Sequence, residues 1–324
     1  VTAPLGIGLI GAGKHGVRYA RHIVEDVGDA RLVALCRRDR AEGERAAAAF
    51  GCAWTADFRR LIEDRRVDAL VTAAPPTLNV AIAEAAARAG KPVLLEKPLA
   101  ASLAEARRIR DLVAEGLRCM VAHTLRFNGV VRALRAHLGE IAPLQTMCFT
   151  QRFEPSVLGW LDRRAESGGG IALHTGVHSF DLLRHLSGHE VGRVWGMVDR
   201  CFTRETEDMF GLLFRMRDAP IHGSVSGSRT TVGRNGSIEL AGERGQLVGD
   251  HVHGVAHLLR GRERTALPVE GSVATVREAV EAFVGALRAG APFPITVEDG
   301  LRAVAVADAC YRSAALGAPV DVEF

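Results

Sequence analysis

The chain has 324 residues, 48% of them apolar and 24% charged, with a formal net charge of +3. This is the balance of a folded globular protein; it excludes wholesale disorder, and no apolar run approaches the roughly 18 residues a membrane helix needs. So small a charge gives no argument for nucleic acid as a partner, and the length suggests two domains.

The start, Val1-Thr2-Ala3-Pro4, has no basic segment before its short apolar stretch, so no signal peptide is expected. Cys36, Cys52, Cys119, Cys148, Cys201 and Cys310 are scattered without a C-x-x-C pair and read as reduced thiols, which points to the cytoplasm.

The first third alternates strands and helices. Leu5–Ile10 reads as a strand ending at Gly11, followed by a helix from about Lys14 to Asp26. A strand at Arg31–Cys36, an Ala-rich helix at Arg40–Phe50 and a strand at Asp68–Thr72 follow, then a helix over Thr77–Ala89. Pro92–Leu95 is the next strand. Ser102-x-x-Glu105 is a capping box for a helix with Leu103, Ala106, Ile109 and Val113 on one face, and Arg118–Ala122 completes the alternation. Strands separated by helices of this length imply a parallel sheet covered on both faces.

After about residue 124 the pattern changes. A helix over Gly129–His137 leads to a strand at Leu144–Phe149, and Gly168-Gly169-Gly170 opens a helix reaching Leu186. Met209–Met216, Ile221–Ser226, Ser237–Leu240 and Gln246–Val248, with turn signals between them, read as an antiparallel sheet. Helices over Val273–Arg288 and Val297–Ala315, the second capped by Thr296, close the chain. The expected domains are therefore 1–123 and 124–324.

Gly11-Ala12-Gly13-Lys14-His15-Gly16 is G-x-G-x-x-G placed after a strand and before a helix. The glycines allow a tight turn, the approach of a pyrophosphate and close helix packing, while the helix N-terminus faces the phosphates. Dinucleotide binding follows. The second strand usually ends in an acid that reads the adenosine ribose. Here it ends in Cys36-Arg37-Arg38, with no acid before Asp39. A guanidinium holds a 2′-phosphate that a carboxylate would repel, so NADP(H) is expected over NAD(H).

Of 41 basic residues only Lys14, Lys91 and Lys97 are lysine. Lysine offers a proton that can be lost near working pH, which arginine does not. Glu96-Lys97-Pro98 follows the Pro92–Leu95 strand, beyond the C-terminal end of a parallel strand, where the ligand crevice is expected.

The sequence resembles the glucose–fructose oxidoreductase / inositol dehydrogenase / MocA family. The matching stretches are GAGKHG at 11–16, AAPPTLN at 73–79, AGKPVLLEKPLA at 89–100, RFN at 126–128 and GGGIALHTGVHSFDLLRHLSG at 168–188. The resemblance implies an N-terminal Rossmann domain and a C-terminal α+β domain with a large open, mainly antiparallel sheet. It implies NAD(P)-dependent oxidation or reduction of a sugar, cyclitol or related keto compound, and a homodimer or homotetramer joined through the open sheet face. Cofactor contacts are expected from the glycine loop with Lys14 and His15, from Arg37 and Arg38, from Ala73, Ala74, Pro75 and Asn79, and from Glu96 and Lys97.

The family's reactive set is the E-K-P lysine plus an Asp and a His four residues apart. Lys97 and His178 match; the aspartate position is His174. Spacing of four puts His174 and His178 on one helix face, where they can share a substrate hydroxyl. His178 is then the general acid/base and Lys97 stabilises negative charge on that oxygen. Losing the aspartate is expected to alter substrate choice or lower activity. Arg126, Trp160 and Arg163 are further candidates for the substrate pocket.

Other readings stay open on the same residues. His174, His178 and Asp181 have metal-ligand spacing, and His251, His253 and His257 read as a solvated face. A regulator that binds dinucleotide without turnover, or an enzyme that recycles its bound cofactor within each turnover, would use the same motifs.

Overall fold

The computed structural model describes residues 3–270 and 274–324. Val1, Thr2 and Val273, the last expected to open the penultimate helix, lie outside the described residues. The chain divides into two compact units. One contains residues 1–100, 104–124 and 274–301; the other contains 101–103, 125–273 and 302–324. The expected boundary at 123/124 falls one residue from the break, but residues 274–301 return to the first unit.

The strands of the first unit are β1 (Leu5–Ile10), β2 (Ala30–Cys36), β3 (Ala53–Thr55), β4 (Ala69–Thr72), β5 (Val93–Glu96) and β6 (Cys119–Ala122). They form one sheet in the order β3-β2-β1-β4-β5-β6, parallel throughout. This is the doubly wound Rossmann order, whose topological switch point lies between β1 and β4. The interleaved helices are α1 (Gly16–Glu25), α2 (Arg40–Phe50), α3 (Phe58–Glu63), α4 (Asn79–Arg88) and α5 (Leu103–Ala114). Ile7, Leu9, Leu70, Val71, Leu94 and Leu95 are wholly buried. Strands covered on both faces must be apolar in continuous runs, which is why the sequence shows them as such. The Asp39 carboxylate caps α2 by accepting from the Glu42 N–H at 2.8 Å. The sequence reading passed over β3 and α3: three residues at a sheet edge and six in a helix carry too little periodicity to register.

In the second unit α6 (Gly129–Ala136), α7 (Leu138–Ile141), α8 (Arg164–Ser167) and α9 (Val177–Ser187) accompany a nine-stranded sheet. Its strands are β7 (Leu144–Arg152), β8 (Val191–Asp199), β9 (Met209–Met216), β10 (His222–Ser228), β11 (Asn235–Gly242), β12 (Gly245–Asp250), β13 (Val255–Arg260), β14 (Glu263–Ala266) and β15 (Val320–Asp321). They run in the order β14-β13-β12-β11-β7-β10-β9-β8-β15. Every pairing is antiparallel except β7 with β10. Between β14 and β15 lie α10 (Thr275–Ala289), which belongs to the first unit, and α11 (Val297–Leu316), which begins in the first unit and continues in the second. Thr296 opens α11 reciprocally with Asp299: the Thr296 N–H donates to Oδ2 at 2.7 Å, and the Asp299 N–H donates back to Thr296 Oγ1 at 3.3 Å. Among the described residues no helix is long and apolar enough to cross a membrane.

Candidate active site

In the first unit, the carboxyl ends of β1, β4 and β5 deliver the three segments the sequence singles out. Gly11 has φ +95°, a conformation only glycine adopts easily, and a Cβ there would lie 2.6 Å from the Ala73 backbone. A Cβ on Gly13, by contrast, would meet nothing within 4 Å. The protein's own packing therefore explains the first glycine and not the second. The open space beside Gly13 fits a pyrophosphate laid against the backbone. Ala73 is drawn to this loop by its N–H, which donates to the Ile10 carbonyl at 2.7 Å.

His15 does more than border the loop. Its Nε2 lies 2.7 Å from Glu96 Oε1, and the Tyr19 hydroxyl donates to the same oxygen at 2.6 Å. The glycine loop and the E-K-P segment are thus tied through one buried carboxylate. Burial pushes the Glu96 carboxyl up, but the His15 imidazole, the Lys97 ammonium and the Tyr19 hydroxyl outweigh it, and the group sits below the ordinary carboxylate range. Lys97 follows at the end of β5, half-buried, and its peptide bond to Pro98 is cis.

Asn79 opens α4 with its side chain buried. Its Nδ2 donates to the carbonyls of Pro98 and Leu99, at 3.3 and 3.1 Å, and so holds the turn after Lys97. Its Oδ1 is buried without a hydrogen-bond partner among the described residues, an acceptor that a bound group's donor would satisfy. The residues present therefore fit a dinucleotide.

One expectation changes here. Arg37 was expected to hold the cofactor. Instead its Nη1 donates to the Ala12 carbonyl at 2.8 Å and its Nη2 stands 3.3 Å from Glu42, so its fork braces the glycine loop. Arg38 is exposed and makes no hydrogen bond or ion pair among the described residues. Lys14 is exposed as well, whereas Lys91 donates to the carbonyls of Ile62 and Asp64 and serves packing.

In the second unit the triple glycine is sealed by Glu207. A Cβ on Gly170 would fall 1.9 Å from the Glu207 carbonyl oxygen, and the Glu207 carboxylate accepts from the N–H groups of Gly170 and Ala172, both at 3.0 Å. The chain then makes a π-helical turn at Ala172–Gly176 before α9, a rare distortion found mostly at functional sites. Among the described residues 169–183, His178 alone is not buried.

His174 is held differently from the shared-hydroxyl expectation. Its Nε2 lies 2.9 Å from the Ser167 carbonyl, which can only accept, so Nε2 carries the hydrogen. Trp160 packs edge-on to the same ring, 5.5 Å between centroids. Trp160 therefore braces His174. Arg126 and Arg163, expected at the substrate pocket, have their guanidinium groups engaged elsewhere. Arg126 grips Asp181 of α9 through Nε at 2.8 Å and Nη2 at 2.5 Å, with both side chains almost wholly buried. Arg163 is exposed and paired with Glu166. The R-F-N asparagine, Asn128, caps α6. His253 and His257 lie at the surface of β13 and the turn before it, while His251 is largely enclosed. Sequence reasoning did not find Gln151, which donates to Ser179 of α9 at 2.8 Å, nor Glu207 and Arg229, because none sits in a recognisable motif.

A family model described as "Oxidoreductase family, NAD-binding Rossmann fold" matches residues 5–123, and the "GFO/IDH/MocA C-terminal domain" matches residues 132–248. The chain belongs to the GFO/IDH/MocA oxidoreductase family. It is similar to inositol 2-dehydrogenase 1 of Saccharopolyspora erythraea, 30% identical over 348 residues, covering 98% of this chain and 96% of the relative. It is also similar to inositol 2-dehydrogenase of Rhizobium meliloti, 28% identical over 325 residues, with 95% and 96% covered. Among solved structures, the oxidoreductase domain protein from Kribbella flavida superposes with a TM-score of 0.90 at 24% identity, covering all of both chains, and so shares the fold. The chain is accordingly a nicotinamide-dependent oxidoreductase acting on CH–OH or carbonyl groups.

Proposed function

We propose that this GFO/IDH/MocA member transfers hydride between NADP(H) and a sugar, cyclitol or related keto/hydroxy compound, with Lys97 and His178 as its reacting side chains. The observation that carries the assignment of His178 is its partial exposure: it is the one half-buried residue in the otherwise buried stretch 169–183. A bound nicotinamide supplies the hydride donor or acceptor. In the oxidative direction His178 takes the proton of the substrate hydroxyl, a task suited to an imidazole whose ordinary pKa is near neutrality. The Lys97 ammonium stabilises negative charge on substrate oxygen as the carbon is oxidised. The Ser167 carbonyl and Trp160 fix the His174 ring, with its Nε2 committed as a donor. Incubation with panels of polyols and keto-sugars tests this reading. Net change of the reduced cofactor supports it; tight dinucleotide binding without turnover favours a regulator; product without net cofactor change favours internal recycling.

The NADP(H) preference rests on the end of β2. Asp39 is occupied as the α2 cap, and Arg38 is the exposed guanidinium beside it. A charge-assisted bond to a 2′-phosphate is worth about 1.5–3 kcal/mol, or roughly tenfold or more in affinity. Arg38→Ala is therefore expected to raise the Kd for NADPH about tenfold or more and to leave NADH unchanged. An equal effect on both cofactors, measured by fluorescence titration, contradicts the preference.

The oligomer is assigned to the open face of the nine-stranded sheet. Trp195 and Met197 of β8 and Leu213 of β9 are 53%, 64% and 55% exposed, and Trp195 pairs directly with Leu213 across the strands. Apolar side chains this exposed and contiguous are what a second copy buries. Trp195→Glu combined with Leu213→Glu is expected to yield monomers in sedimentation velocity; an unchanged assembly, or a wild-type monomer, rules that face out. The cytoplasmic location belongs to the same reading, supported by six free cysteines.

A further inference from the structure

The second unit encloses a cavity of about 220 Å³ that the catalytic assignment leaves unused. Its wall holds three carboxylates, one guanidinium and the ring of His174. Each carboxylate is already turned toward donors of its own chain. Asp162 accepts from the N–H groups of Arg204, Glu205 and Thr206 at 2.9–3.1 Å. Asp208 accepts from those of Cys201, Phe202 and Thr203 at 2.7–3.1 Å. Glu207 is held by Gly170, Ala172 and the Tyr311 hydroxyl.

Arg229 is the exception. Its side chain makes one hydrogen bond, from Nη2 to the neutral Thr175 hydroxyl at 2.9 Å, and joins no ion pair among the described residues. Its surroundings strip enough water from the guanidinium to lower its pKa below the ordinary value, with Glu207 opposing the shift. A desolvated cation whose neighbouring anions are committed to backbone amides has its remaining donors turned to no protein acceptor. Such a group favours an anion brought from outside. His174, with its Nε2 hydrogen given to Ser167, adds no negative charge to the wall.

We propose that this cavity is a subsite for a carboxylate carried by the substrate, held by the free edge of Arg229, so that the enzyme prefers acidic sugars to neutral polyols. The proposal rests on the oxidoreductase reading above and narrows its substrate class. The wall offers one positive charge, on Arg229, against the three carboxylates Asp162, Glu207 and Asp208, so a singly charged carboxylate is favoured over a doubly charged phosphate monoester.

The test compares D-glucuronate, D-galacturonate and D-gluconate with glucose, galactose, myo-inositol and glucose 6-phosphate. Binding is followed by thermal shift and calorimetry, and turnover by cofactor reduction. One or more of the acids is expected to bind more tightly than every neutral compound. Arg229→Met should weaken that acid about 10- to 100-fold, the range for a lost charge-assisted bond, with a smaller change for the neutral sugars. Arg229→Lys, which keeps the charge, should recover part of the loss, and circular dichroism should show both variants folded. If an acid binds through Arg229 but no compound changes the cofactor, the subsite stands and the oxidoreductase reading fails. If a neutral compound is oxidised while no acid binds better, or if the phosphate ester binds best, the subsite proposal is overturned and the oxidoreductase reading survives. Equal losses for acid and neutral substrates in Arg229→Met also overturn it.

Discussion

His178→Ala is expected to lower kcat by roughly 10²–10⁴-fold, the range for removing a general acid/base, while the Kd for the dinucleotide stays at its wild-type value. The split follows from where the residue sits. His178 belongs to the second unit, whereas the glycine loop, Asn79 and the E-K-P segment all belong to the first. Losing the imidazole removes a proton carrier without touching the phosphate-binding backbone. Lys97→Ala is expected to cost roughly 10²–10³-fold in kcat, the magnitude for a preorganised donor at a developing oxyanion. Glu96 gives a control for position. It gathers His15, Tyr19 and the field of Lys97 on one carboxylate, so loss of the lysine also disturbs the balance that keeps Glu96 ionised. If the two side chains serve one chemical step, their double variant falls little below the worse single one, since groups acting as a unit are not additive. Steady-state kinetics and titration of the dinucleotide with each variant check the whole set.

The second large effect concerns stability. Arg126 and Asp181 form a bidentate pair with side chains 10% and 2% exposed. Removing one partner strands a charge where water does not reach it, at about 3–5 kcal/mol. For a domain of this size that is a fall in Tm of roughly 6–20 °C. Arg126→Ala and Asp181→Ala should each show it by calorimetry. Replacing the pair together by apolar residues of similar volume should recover most of the loss, because no charge is then left buried alone. Asp181 lies three residues beyond His178 on α9, so the single variants also loosen the helix that carries the reacting imidazole, and kcat should fall further than KM rises. A drop of less than about 1 kcal/mol in either variant would place the pair among ordinary surface bridges.

The first unit was legible in the sequence because its physics is local. Buried parallel strands are continuous apolar runs, and the tight turn after β1 demands glycines at fixed spacing. The nine-stranded sheet was harder. β8 went unread because Trp195 and Met197 put apolar side chains on the exposed face, so the period-two alternation that marks a half-buried strand is hidden. The site shows a related limit. The spacing of His174 and His178 was visible, yet the Ser167 carbonyl that occupies one ring belongs to the preceding segment. Arg126 was found by its motif and mistaken in its partner, since Asp181 is 55 residues away in sequence. Arg37 and Arg38 are adjacent and alike in sequence; only the fold turns one to Ala12 and leaves the other exposed. Long-range partners of this kind carry no sequence signature.

Single-turnover reduction of the bound oxidised cofactor, started by mixing the loaded enzyme with an oxidisable sugar, sugar acid or cyclitol, separates binding from chemistry. Wild type should form one equivalent of reduced nicotinamide, and His178→Ala, equally loaded, should form it at least a hundredfold more slowly. A His178→Ala enzyme that reduces its cofactor at the wild-type rate would contradict the assignment of this histidine to the reacting centre.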